Sequence, residues 1–145
     1  MLATVQRVSS AEVSVKGLVH SFINKGIVIF ICIETTDTIY NVKKMKEKIH
    51  TFKILDEGDK TMSSSLKNIN EDIMIISQFT LAAITSKGSK ASFHKSAKPK
   101  DAKLLYDEFV NEFKKEKNKI VEGVFGEYMD VSLTNKGPIT FNFKV

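Results

Sequence analysis

Seven consecutive apolar residues, Ile27 to Ile33 (IVIFICI), constrain this chain more than any other stretch. The run is far short of the roughly 20 residues that cross a bilayer as a helix, so no membrane span is expected. A surface strand alternates apolar and polar residues. This one is apolar on both faces, which suits a central strand covered on both sides. The fold must therefore stack layers around it. With 145 residues, 42% of them hydrophobic, there is material for one such core and too little for two, so a single domain over residues 1–145 is expected.

The segments around the run fit this picture. Val13 and Val15 alternate with Ser14 and Lys16, Gly17 offers a turn, and Asn24-Lys25-Gly26 turns the chain into the central strand. Ile39, Val42, Met45, Ile49 and Phe52 recur at steps of three and four, predicting a helix over 39–52 with Lys43, Lys44, Lys46 and Lys48 off its apolar stripe. Residues 56–70 read as a polar loop with a turn at Gly58, and 73–81 (IMIISQFTL) as a strand. Ala82 to Pro99 is a long polar connection, and loops of that length in compact domains are usually functional. Asp101 reads as the N-cap of a helix over 101–117, with Leu105, Phe109 and Phe113 on its buried face. Two alternating strands close the chain, with TNKGP between them as a reversing turn. Strands bracketing two helices make an α/β or α+β domain with the helices on one side.

Conventional catalytic equipment is nearly absent. His20, His50 and His94 have no metal-ligand spacing, and the one cysteine cannot build a thiolate zinc site, so neither metal nor cofactor is expected. There is no GxSxG elbow around Ser77 and no phosphate-binding glycine loop; Gly123 and Gly126 lack the strand-turn-helix setting. Cys32 sits in the most apolar strand and reads as core. Its solitude excludes an internal disulfide and, with an N-terminus that has no apolar signal region, points to a soluble cytoplasmic protein. The Ser77 and Thr80 hydroxyls read as strand-end caps, and nothing local to Gly137-Pro138 demands a cis bond. The net charge of +5 favours polyanionic partners, but the lysines look widely spread and read as a solvated surface.

Two segments taken together carry a resemblance. Residues 77–81 read SQFTL and residues 135–140 read NKGPIT. Both resemble the signature motifs of the D-aminoacyl-tRNA deacylases (D-tyrosyl-tRNA(Tyr) deacylases). The likeness extends to Gln6-Arg7-Val8, to Lys87-Gly88 with Ser92-Phe93, and to EGVFGEYMDVSLTN before the second motif. One departure is the loop KGSKASF, where Lys90 and Ala91 stand at positions that in relatives commonly carry Arg and Pro. Lysine does not reproduce a bidentate arginine contact. Lys136 is expected to face solvent.

The resemblance implies a three-layer β/β/α domain with two packed, barrel-like sheets. It implies hydrolysis of the ester of D-aminoacyl-tRNA, and of glycyl-tRNA mischarged on tRNA(Ala), with L-aminoacyl-tRNA refused. By the same likeness, the backbone at Phe79 and Thr80 positions the ester and its oxyanion. Ser77, Gln78, Leu81, Phe93 and Met129 bind the aminoacyl-adenosine end. Gly137 and Pro138, joined by a cis bond, reach from one subunit of a homodimer into the other's site to read chirality, with Arg7, Asn135 and Thr140 in support. The partner is the 3′ end of aminoacyl-tRNA. Two alternatives stand beside this: a paralogous deacylase with a trans Gly-Pro that removes small L-amino acids, and a non-catalytic RNA-binding module.

Overall fold

The structure, a computed structural model, describes residues 1–86 and 88–145. The chain order is β1 (Leu2–Val15), β2 (Leu18–Ile23), β3 (Gly26–Cys32), α1 (Ile39–Thr51), β4 (Leu55–Glu57), β5 (Lys60–Ser64), β6 (Asp72–Ser77), a 3-10 turn (Phe79–Ala82), α2 (Pro99–Lys114), β7 (Ile120–Glu122) and β8 (Asp130–Lys144). On one edge, β1 pairs first with β3, from Leu2↔Cys32 to Val8↔Gly26, and then with β2, from Ala11↔Ile23 to Val15↔Leu18. Its other edge pairs with β8. Strands β3, β6 and β7 run parallel.

Because β1 exchanges β3 for β2 halfway along, the sheet folds back over itself. Val8, Ala11, Val13 and Ile23 pack against Val28, Met74 and Ile76, filling the space between the two sheet layers. The opposite face of the central strands takes the helices. Ile27, Ile29, Ile31, Ile73 and Ile75 meet Val42, Met45 and Ile49 of α1 and Tyr106, Phe109, Val110 and Phe113 of α2. Side chains on a strand alternate faces, so a run apolar at every position is what a strand between these layers requires. The expected three layers, with helices on one side, are the observed architecture.

Several local expectations need correction. The polar stretch after residue 55 is an antiparallel hairpin, β4–β5, turning at Gly58 (φ +58°). The strand predicted over 73–81 ends at Ser77, where the Gln78 N–H makes a last bond to the Ile31 carbonyl (2.8 Å) before the 3-10 turn. Helix α2 starts at Pro99, with Lys98 at the N-cap and Asp101 inside the first turn; proline suits a first helical position because its missing N–H has no acceptor there. Lys46 lies buried between the helices, paired with Glu116, whereas Ile39 at the head of the stripe is exposed. The two closing strands are one. Residues on both sides of NKGPIT pair antiparallel with β1, so the chain keeps its heading instead of reversing.

His50 is buried beside Glu116 (3.7 Å) and against the edge of Phe113 (6.3 Å between centroids). Burial pulls its pKa below the ordinary 6.5, and the Glu116 carboxylate opposes that only in part. The unfolded chain therefore takes up a proton near 6.5 that the folded chain still refuses, and stability falls as pH drops from there towards the folded value. His50→Gln is expected to flatten that descent, read as Tm at pH 5 to 7.5. An unchanged slope counts against the burial argument.

Candidate active site

A cleft of about 910 Å³ opens where the parallel strands β3 and β6 end. Ligands in α/β sheets gather at such carboxyl ends because the connecting loops diverge there and leave a crevice. Ile31, Cys32, Ile76 and Ser77 form its strand-end floor, and Gln78 to Thr80 one wall. The first turns of α2 contribute Pro99, Ala102 and Tyr106, and the loop before β8 contributes Phe125 to Met129. Phe93 and Ser96, from the long polar connection, also line it.

The geometry at SQFTL follows from how the strand stops. The Leu81 and Ala83 amides close the turn onto the Gln78 and Thr80 carbonyls (3.3 and 3.0 Å), whereas the Phe79 and Thr80 amides have no acceptor among the described residues. These two donors open the turn beside the cleft. The Gln78 side-chain amide donates to Thr80 Oγ1 (2.6 Å). That hydroxyl therefore has a donor, not a base, as its neighbour. Phe79 is 57% exposed and meets Phe93 edge-on at 5.1 Å. Met129 is held by the Val124 amide, which donates to its sulfur (3.2 Å).

None of the three histidines lines the cleft. Among the described residues no group of three or more His, Cys, Asp or Glu is placed to hold a metal. No helix among them is long and apolar enough to cross a membrane.

Of the residues singled out in the sequence, the cleft unites Ser77, Gln78, Phe79, Thr80, Phe93 and Met129. Leu81 does not join them: it is half-buried and does not line the cleft. The similarity resting on Lys87 lies outside the described residues. Cys32 and Tyr106 are among the cleft residues that escaped the sequence reading. Cys32, read as core, is buried yet also floors the cleft, its thiol 3.5 Å from the Phe79 carbonyl and its pKa pushed up by burial. Tyr106 falls on the apolar stripe of α2 with Phe109 and Phe113, a spacing that signals only burial; its hydroxyl donates to the Ile75 carbonyl (3.0 Å).

The second motif lies elsewhere. Gln6 faces Thr140 and Val8 faces Asn135, so the one β1 residue between them, Arg7, stands opposite four residues, 136–139. Those four leave the ladder as an excursion, with Lys136, Gly137 and Pro138 exposed. Proline has no N–H for a ladder bond, and Gly137 adopts φ +138°, a backbone rarely open to other residues. The Gly137-Pro138 bond is cis.

Side chains beneath hold the excursion in place. Asn135 Oδ1 accepts from the Ile139 amide (2.8 Å), and Asn135 and Gln6 both donate to Thr140 Oγ1 (2.9 and 3.1 Å). Buried Arg7 donates to the Lys136 carbonyl (3.1 Å) and the Ile54 carbonyl (3.3 Å), and pairs with Asp56. The Met62 amide, with help from Arg7, holds the Asp56 carboxyl below the usual carboxylate range. None of residues 135–140 lines the cleft of its own chain.

Residues 4–144 match the family model described as D-Tyr-tRNA(Tyr) deacylase. A D-aminoacyl-tRNA deacylase of Francisella tularensis subsp. novicida (strain U112) is 43% identical over 145 residues, all of both chains. One from Thermodesulfovibrio yellowstonii (strain ATCC 51303 / DSM 11347 / YP87) is 38% identical over 141 residues, 97% of each. A structure solved under the name c-Myc DNA Unwinding Element Binding Protein superposes with a TM-score of 0.94 at 34% identity, covering 100% of this chain and 99% of that one. A probable eukaryotic D-amino acid tRNA deacylase shares the fold at TM-score 0.86 and 16% identity, over 99% of this chain and 98% of that one. Full-length identity of this order and a family match over nearly every residue lead to one conclusion: the chain belongs to the D-Tyr-tRNA(Tyr) deacylase family, hydrolases of the aminoacyl-tRNA ester.

Proposed function

We propose that this protein, acting in the cytoplasm as a homodimer of one deacylase domain per chain, hydrolyses D-aminoacyl-tRNA and glycyl-tRNA and refuses L-aminoacyl-tRNA. The observation that carries the reading is the pair of unengaged amides at Phe79 and Thr80 beside an apolar cleft. An aminoacyl ester is activated already, so hydrolysis needs a positioned water and donors where the oxyanion develops. The two amides supply those donors. The adenosine end lies along Ser77, Gln78, Phe93 and Met129, with the 2′-hydroxyl of the terminal ribose assisting the water. The position of NKGPIT supports the dimer: the excursion is exposed and outside its own chain's cleft, so a role at the ester requires the other subunit's cleft. Its backbone then leaves space for hydrogen but not for a methyl at the L-side-chain position, and exclusion of that kind needs no tailored pocket.

Turnover of D-Tyr-tRNA against L-Tyr-tRNA and L-Ala-tRNA by purified protein is the decisive assay. Release of D-tyrosine alone supports the reading; release of small L-amino acids favours the trans-type paralogue, and no release favours a binding module. The catalytic role assigned to backbone has its own check. Thr80→Ala is expected to stay within about tenfold of wild-type kcat, since its hydroxyl has no base beside it. A loss of about 10⁴-fold, the scale of deleting a nucleophile, would mean that the side chain does the chemistry.

A further inference from the structure

The positive charge of this chain is less diffuse than the spread of its lysines suggests. Residues 84–103 hold six lysines and a single acid, Asp101, a surplus equal to the whole net charge of +5; the rest of the chain carries as many acids as bases. This segment forms one side of the cleft through Phe93, Ser96, Ala97, Lys98, Pro99 and Ala102. Lys90, Lys95, Lys98 and Lys100 are exposed along it, and no carboxylate pairs with any of them among the described residues. By contrast Lys114, Lys115 and Lys119, around the far end of α2, are each paired with an acid.

We propose that Lys90, Lys95, Lys98 and Lys100 form the docking surface for the phosphates of the tRNA 3′-terminal strand, just outside the cleft that takes the aminoacyl-adenosine. The proposal rests on the deacylase reading and extends it from the reacting ester to the polynucleotide attached to it. Lysines act on phosphates as point charges and release condensed counterions, so such a surface lowers KM in a salt-dependent way and leaves the chemical step alone.

The test compares K90Q/K95Q/K100Q with K43Q/K67Q/K117Q, a control of the same net charge altered at exposed lysines elsewhere. Lys98 is left in place because it lines the cleft. Two substrates are used, D-aminoacyl-tRNA and the 3′-O-(D-aminoacyl)adenosine that lacks every upstream phosphate. Binding of uncharged tRNA is measured by fluorescence anisotropy across a salt series. For the first variant, KM for D-aminoacyl-tRNA is expected to rise about tenfold or more at low salt. The slope of log K against log salt should fall by about 2 to 3, close to one per lysine. Turnover of the adenosine ester should be unchanged, and K90R/K95R/K100R should retain the wild-type slope.

Equal slopes for the first variant and the control overturn the proposal, as does a parallel loss on the adenosine ester. A wild-type protein that binds tRNA with the lysine-dependent slope yet hydrolyses neither substrate overturns the deacylase reading and leaves the docking surface standing.

Discussion

Purified protein is expected to release D-alanine, D-tyrosine, D-aspartate and glycine from tRNA while leaving the L-alanyl, L-tyrosyl and L-aspartyl esters intact. The expectation follows from where selectivity is proposed to reside. A backbone excursion has no side-chain chemistry with which to prefer one residue over another, so refusal extends to every L side chain. A pocket that selected by affinity gains only about 1–3 kcal/mol per methylene and would leak L-alanine. Glycine offers nothing to exclude and must react. Substitution at Gly137 tests the same idea at its source. A Cβ there would stand 2.7 Å from Ile139 Cγ1, on a backbone at φ +138°. Conformations of that kind cost other residues about 1–3 kcal/mol, so Gly137→Ala should shift the excursion. The expected result is a fall in the D/L ratio by about a hundredfold or more, the scale on which a fixed barrier exceeds weak hydrophobic discrimination. An unchanged ratio, or glycyl-tRNA surviving where D-Ala-tRNA is cut, refutes steric exclusion.

Arg7→Met should reach the same excursion from below, with a second readout in stability. One guanidinium joins three elements: the Lys136 carbonyl in β8, the Ile54 carbonyl before β4, and Asp56 in β4. Methionine keeps much of the volume but donates nothing. The Ile54 carbonyl, on a residue 1% exposed, then lacks its donor, and such an orphan costs about 1–3 kcal/mol. At about 3 °C per kcal/mol for a chain of this size, that is roughly 3–10 °C in Tm. The freed excursion should admit L-alanyl-tRNA while D-alanyl-tRNA turns over at a rate close to wild type, since the Phe79 and Thr80 amides are untouched. Loss of D-activity with the D/L ratio preserved would show that Arg7 serves folding alone.

Both predictions concern a feature that no local pattern reveals. Asn135-Lys136-Gly137-Pro138 has the composition of a reversing turn, and the residues flanking it alternate as two strands would. Its actual form depends on β1, more than 120 residues earlier in the chain, which pairs with both flanks and leaves one residue, Arg7, opposite four. The 3-10 turn at Phe79 is similar. IMIISQFTL is apolar enough to continue as a strand, but its parallel partner β3 ends at Cys32, and the ladder ends with it.

The layers, by contrast, follow from the sequence. Periodicity is a local property, set by which face of a strand or helix a residue occupies, so Ile27–Ile33 between two covers and Val42, Met45 and Ile49 on a buried stripe can be read without knowing the partners. The two segments that carry the resemblance, SQFTL and NKGPIT, are likewise legible in the order of residues. The cleft is not, because Cys32, Thr80, Phe93, Tyr106 and Met129 come from five separate segments, and an apolar residue in a cleft has the same sequence signature as one in the core. The lysine surplus belongs to both levels. Counting along the chain locates it in residues 84–103. Only the packing of that segment beside the ends of β3 and β6 turns a charge count into a surface facing a site, because the field at a cleft depends on distances through space, which the order of residues does not contain.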